Sequence, residues 1–141
     1  MIFEFTIPGK PCGKGRPRFT KNGHTFTPEK TANYETLVKL AFRQAYPNAE
    51  PIAAKVEVIA KITAYYPIPV STSKKLQAQM RAGLMKPTTK PDTDNIAKIC
   101  LDALNGIAYH DDAQIVGLQV NKLYSDEPRV EVKLEVVSRD N

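Results

Sequence analysis

Apolar and polar residues alternate over residues 54–66, with Val56, Val58, Ala60, Ile62 and Ala64 on one side and Glu57, Lys61 and Thr63 on the other. A period of two predicts a half-buried strand. The same period returns over 129–137, where Val130, Val132, Leu134 and Val136 alternate with Glu131, Lys133 and Glu135. Residues 2–7, closed by Pro8-Gly9, and residues 114–124 complete the long strands; Ser125-Asp126-Glu127-Pro128 joins the last two. Arg18-Phe19-Thr20 and His24-Thr25-Phe26 flank Lys21-Asn22-Gly23, a pattern that predicts a short hairpin.

Helical spacing fills the stretches between. Thr27-Pro28-Glu29 predicts a helix start, with threonine as cap, proline in the first turn and an acid at the positive end. Tyr34, Leu37, Val38, Ala41 and Ala45 carry its apolar stripe to about residue 46. Thr72 or Ser73 caps a basic helix that stops near Gly83. Ile96, Ile99, Cys100, Ala103, Leu104 and Ile107 form the buried stripe of a third helix. Together these elements predict an α/β (α+β) fold, with residues 1–141 as one domain and a small mixed sheet flanked by helices.

A chain of 141 residues buries a core without disulfide staples. Cys12 and Cys100 make neither a disulfide framework nor a cysteine zinc site. No apolar run is long enough to span a bilayer, and Met1-Ile2-Phe3-Glu4-Phe5 lacks the basic start of a signal peptide. The expectation is a cytoplasmic protein with no membrane association.

Charge changes the picture more than composition does. The net charge is +5, but it is unevenly spread. Lys10, Lys14, Arg16, Arg18, Lys21 and Lys30 make the first segment basic, and residues 72–90 hold Lys74, Lys75, Arg81, Lys86 and Lys90 with no acid. Between 92 and 112 the sign reverses: Asp92, Asp94, Asp102, Asp111 and Asp112 face only Lys98. An acidic island between basic stretches suits a cation site set in a surface for polyanions.

The acids lie in Lys90-Pro91-Asp92-Thr93-Asp94-Asn95-Ile96-Ala97-Lys98 and in His110-Asp111-Asp112. Carboxylates brought close repel unless a cation sits between them, and Mg²⁺ is commonly held by one or two carboxylates with waters and phosphates completing its shell. That chemistry points to metal-assisted phosphodiester cleavage. Two plainer readings give the same pattern. Asp92 and Asp94 at a helix start are also helix caps, and Asp94, Lys98 and Asp102 at four-residue spacing are also an ion-pair ladder. Other motifs fail: Ala97 replaces the glycine of a calcium loop, and Gly9 to Lys14 is one residue short of a phosphate loop.

The run Asp92-x-Asp94-Asn95-x-x-Lys98, then Asp102-Ala103-Leu104-Asn105-Gly106 and Asp111-Asp112-Ala113-Gln114-Ile115, closely resembles the RusA family of Holliday junction resolvases. Ile7-Pro8-Gly9-Lys10-Pro11 and Lys14-Gly15-Arg16-Pro17-Arg18 look like the opening of phage-type members. The resemblance implies a dimeric, Mg²⁺-dependent crossover junction endodeoxyribonuclease, with Mn²⁺ as a substitute metal, acting on branched DNA such as the four-way junction in recombination and repair. It maps catalytic acids onto Asp92, Asp94 and Asp112, an essential lysine onto Lys98, and a further metal-ligand candidate onto Asp111. Residues 67–89 look like an insertion relative to the shortest members.

On this reading Asp92, Asp94 and Asp112 hold the metal, while Lys98 steadies the attacking water, the developing charge or Asp94 itself. Lys10, Lys14, Arg16 and Arg18 are expected to grip backbone phosphates. Phe19 and Tyr109 are candidates either for stacking on bases or for the core. The alternatives are a non-catalytic branched-DNA-binding protein and a metal-dependent nuclease without junction preference.

Overall fold

The computed structural model describes residues 1–15, 18–19, 21, 23, 25–26 and 28–138. Four long strands form one sheet: β1 (Ile2–Pro8), β4 (Val58–Pro67), β5 (Ile115–Ser125) and β6 (Arg129–Val136). Their order is β1-β6-β4-β5. β6 is antiparallel to both β1 and β4, whereas β4 and β5 run parallel, so the sheet is mixed and the fold is α+β. β5 and β6 are neighbours in sequence but not in the sheet, because β4 lies between them.

The expected hairpin is present as β2 (Arg18–Phe19) paired with β3 (Thr25–Phe26), Arg18 opposite Phe26. Thr20, Asn22 and His24 lie outside the described residues, as does the capping candidate Thr27. Helix α1 (Glu29–Ala45) has Pro28 in the N-cap position, one residue later than the Thr-Pro-Glu pattern predicts. Its buried residues are Thr31, Tyr34, Val38 and Phe42; the expected Ala45 is exposed. Phe42 takes the inward position because its ring meets Phe3 and Phe5 edge-on, each at 5.4 Å between centroids. Aromatic pairs favour that geometry.

A parallel pair needs a crossover, and β4 reaches β5 through two helices, α2 (Lys74–Arg81) and α3 (Thr93–Ala103). Ser73 caps α2, its hydroxyl accepting from Leu76 N at 3.3 Å. Helix α3 ends four residues before Ile107, which sits in the following turn and is only partly buried. Strand β4 starts at Val58, leaving Val56 in the preceding loop. Helices α1 and α3 cover one face of the sheet. Between them and the sheet lie Phe3, Phe5 and Ile7 from β1, the alternating Val58, Ala60, Ile62 and Ala64 of β4, and Val130, Val132 and Leu134 of β6. Among the described residues no helix is long and apolar enough to cross a membrane.

Candidate active site

Helix α3 runs from the C-terminal end of β4 back toward the start of β5, and the acids follow its length. Its start is set by a clamp: the Tyr66 hydroxyl at the end of β4 donates to Pro91 O at 2.6 Å, and Lys122 Nζ on β5 donates to Thr89 O at 2.6 Å. Burial, and then the Asp92 carboxylate, push the Tyr66 hydroxyl up to about 12, so it stays a donor at neutral pH. Asp92 occupies the N-cap position, yet its side chain makes no capping hydrogen bond. Its Oδ2 accepts instead from Asn95 Nδ2 at 3.4 Å. The cap reading therefore does not account for this carboxylate.

The ladder reading fails as well. Among the described residues neither Asp94 nor Lys98 is in an ion pair. Both are exposed. Asp102 turns instead to Lys14, whose Nζ stands 3.4 Å from its Oδ2.

At the far end of α3, Asp102 meets Asp112. Burial raises the Asp112 carboxyl above its ordinary range, and a side-chain hydrogen bond with Asp102, the Asp102 charge and the Asp111 charge add to it; Asn105 opposes. Two carboxylates in hydrogen-bond contact cannot both be ionised without cost. The turn that delivers Asp112 is itself fixed. Asp111 Oδ2 accepts from Ala113 N at 2.9 Å, capping a short 3-10 turn over Asp112–Gln114. Asp112 N donates to Asn105 Oδ1 at 2.8 Å. Gln114, buried, accepts from His110 N and Asp111 N and donates to Ala53 O and Val56 O.

A cleft of about 470 Å³ opens between α3 and the start of β5, lined by Asp94, Lys98, Asp102 and Asp112 with Ala97, Leu101 and Ile115 to Leu118. Asp94 and Asp112 thus share one cleft with Lys98 between its ends. At about 1.5 Å of rise per residue, Asp94 and Asp102 are roughly 12 Å apart along the axis. Asp92 lies on another side of the helix, in an adjoining groove of about 640 Å³ with Lys14, Lys30, Lys90 and Asn95. Among the described residues no group of three Asp, Glu, His or Cys side chains is gathered for a metal ion. The donor set that fits a hard cation is the Asp102–Asp112 pair. Mg²⁺ needs only one or two carboxylates, and a cation there would offset the repulsion between them.

Of the four basic candidates, Lys10 is exposed and Lys14 is drawn inward; Arg16 lies outside the described residues and Arg18 is placed by its backbone in β2. Tyr109 is 0% exposed and donates to Leu101 O, so it is core and cannot stack on a base. Asp102, which also lines the cleft, is not among the site residues expected from the sequence, where its spacing from Lys98 suggests a ladder. Nor are Lys30 and Lys90, which only the fold brings to one groove.

Two comparisons bear on this geometry. A family model described as Endodeoxyribonuclease RusA matches residues 8–135. A Bacillus subtilis (strain 168) protein named Uncharacterized protein YqaN is 43% identical over 138 residues, covering 96% of both chains. The match takes in the glycine-rich opening, the whole of α3 and the Asp111–Asp112 turn, and the chain belongs to the RusA endodeoxyribonuclease family.

Proposed function

We propose that the protein is a Mg²⁺-dependent endodeoxyribonuclease that resolves four-way DNA junctions and related branches, cutting in the cleft between α3 and β5. The observation that carries this reading is the cleft that brings Asp94, Asp102 and Asp112 together with Lys98, carboxylates gathered in a basic protein of a nuclease family. Asp112 and Asp102 would hold the cation, with Asp94 on the same cleft and Asp92 on the adjoining groove available to a second position. The chemistry Mg²⁺ supplies when bound is a water acidified toward neutral pH and compensation of charge at the leaving oxygen. Lys98, free of ion pairs among the described residues, stabilises negative charge developing on the scissile phosphate. Lys10, Lys30 and Lys90 position the DNA backbone around the groove, contributing affinity rather than sequence preference.

A junction is resolved by two opposed cuts, and one domain supplies one cleft, so the working unit is a two-fold symmetric homodimer. The test is strand cleavage of labelled four-way junction, duplex and single strand, with and without Mg²⁺, by wild-type protein and by wild-type mixed with Asp94→Asn subunits. Paired cuts in the junction alone, Mg²⁺-dependent and reduced to single nicks in the mixture, are expected. Equal cutting of duplex would leave a nuclease without junction preference. Tight junction binding with no cutting in Mg²⁺ or Mn²⁺ would leave a binding protein.

A further inference from the structure

Lys14 stands at the centre of a network that joins three parts of the chain. Its Nζ is 3.1 Å from Glu35 Oε2 on α1 and 3.4 Å from Asp102 Oδ2 on α3. The Lys14 side chain is only 21% exposed, unlike Lys10, Lys30 and Lys90, which are open to solvent. The backbone around it is pinned: Lys14 N donates to Asn95 O at 3.1 Å, and Gly15 N donates to Thr31 Oγ1 at 2.9 Å. Glycine is required on both sides for so close an approach. A Cβ at Gly13 would stand 2.8 Å from the Pro91 Cβ, and one at Gly15 would stand 2.6 Å from Thr31 Oγ1.

An ammonium already satisfied by two carboxylates has little to offer a phosphate. We propose that Lys14 is a positioning residue of the cutting site: it takes the Oδ2 atom of Asp102 and thereby turns that carboxylate toward Asp112, and it does not contact DNA. The inference rests on the nuclease reading above. It makes the glycine-rich segment part of the apparatus that shapes the acid pair.

The variants are Lys14→Met, which keeps length and loses charge, and Lys14→Arg, which keeps charge. For Lys14→Met, junction affinity and its salt slope should match wild type, whereas a lost phosphate contact would make the slope shallower by about one unit. Its kcat should fall about tenfold at unchanged KM, because a misplaced group costs rate rather than binding. Mg²⁺ uptake by the DNA-free protein, measured by calorimetry, should weaken about tenfold, since Asp102 is no longer turned toward Asp112. Lys14→Arg should recover most of kcat. A shallower slope, a wild-type kcat or undiminished Mg²⁺ uptake in Lys14→Met each overturns the proposal.

If Lys14→Met does not fold, amine acylation of wild-type protein decides. Lys14 should be unreactive with or without junction, while Lys10, Lys30 and Lys90 react freely and are protected by DNA. A Lys14 that reacts in the free protein and is shielded by junction overturns the proposal. If wild-type protein takes up Mg²⁺ yet cuts no junction, the nuclease reading fails alone, and calorimetry and acylation still decide Lys14.

Discussion

Asp112→Asn is expected to lower junction cleavage in Mg²⁺ by a hundred- to a thousandfold while leaving junction binding within about twofold of wild type, on the order seen when one charge-stabilising group is removed from an active site. The substitution removes a charge and a donor atom but almost no volume, so the cleft keeps its shape. Its effect on stability has the opposite sign. The Asp112 carboxyl is held above the ordinary carboxylate range, first by burial and then by Asp102. A carboxyl raised on folding contributes stability below its unfolded pKa, about 3.9, and that contribution is lost as pH rises through the folded value. At neutral pH without metal, wild-type protein therefore carries the strain of two close carboxylates, and Asp112→Asn should melt at a higher temperature. The gap should close as the pH approaches the carboxylate range. Single-turnover cleavage and thermal unfolding across pH check both halves; an unchanged cutting rate would remove Asp112 from the site.

The second large effect is expected at Gln114. Its amide serves four backbone partners, accepting from His110 N at 2.9 Å and Asp111 N at 3.1 Å and donating to Ala53 O at 2.8 Å and Val56 O at 3.0 Å. Gln114→Leu keeps the volume and strands all four groups. A stranded polar group costs about 1–3 kcal/mol when buried, and these are only partly buried, so a total of about 3–5 kcal/mol is expected. The damage falls on the loop before β4 and on the turn that carries Asp112, so cleavage should suffer together with stability. Gln114→Glu should be no rescue: it keeps the acceptor but loses the donor to the two carbonyls and adds a charge beside Asp111 and Asp112. Urea unfolding measures the loss. A change below about 1 kcal/mol in Gln114→Leu would mean that water replaces the amide.

Elements whose burial follows a strict local period were legible in the sequence. Strands β4 and β6 alternate because one face of each meets the helices, and α3 shows its stripe because one side lies on the sheet. Sheet order was not legible, since the Ser125-to-Pro128 link suits a hairpin as well as a step across β4. Ala45 and Ile107 fit the helical period, but helix α1 turns Phe42 inward and α3 stops before Ile107. The acids of α3 and the 111–112 turn were legible as candidates from their sign and spacing. Their partners were not: Asp102 finds Lys14 from the far end of the chain rather than Lys98 one turn away. Local spacing describes what a helix offers, and only tertiary packing decides which offer is taken.

The measurement that bears most directly on the acid cleft is Mn²⁺ titration of isotope-labelled, DNA-free protein followed by paramagnetic broadening of its amide signals. Broadening should begin around Asp102 and Asp112, spread to Lys98 and the start of β5, and weaken toward Asp92. It should disappear from that region in Asp112→Asn. Broadening centred elsewhere, with the signals of residues 98–102 and 111–118 intact at saturating Mn²⁺, would contradict the assignment of the cleft as the metal-dependent cutting site.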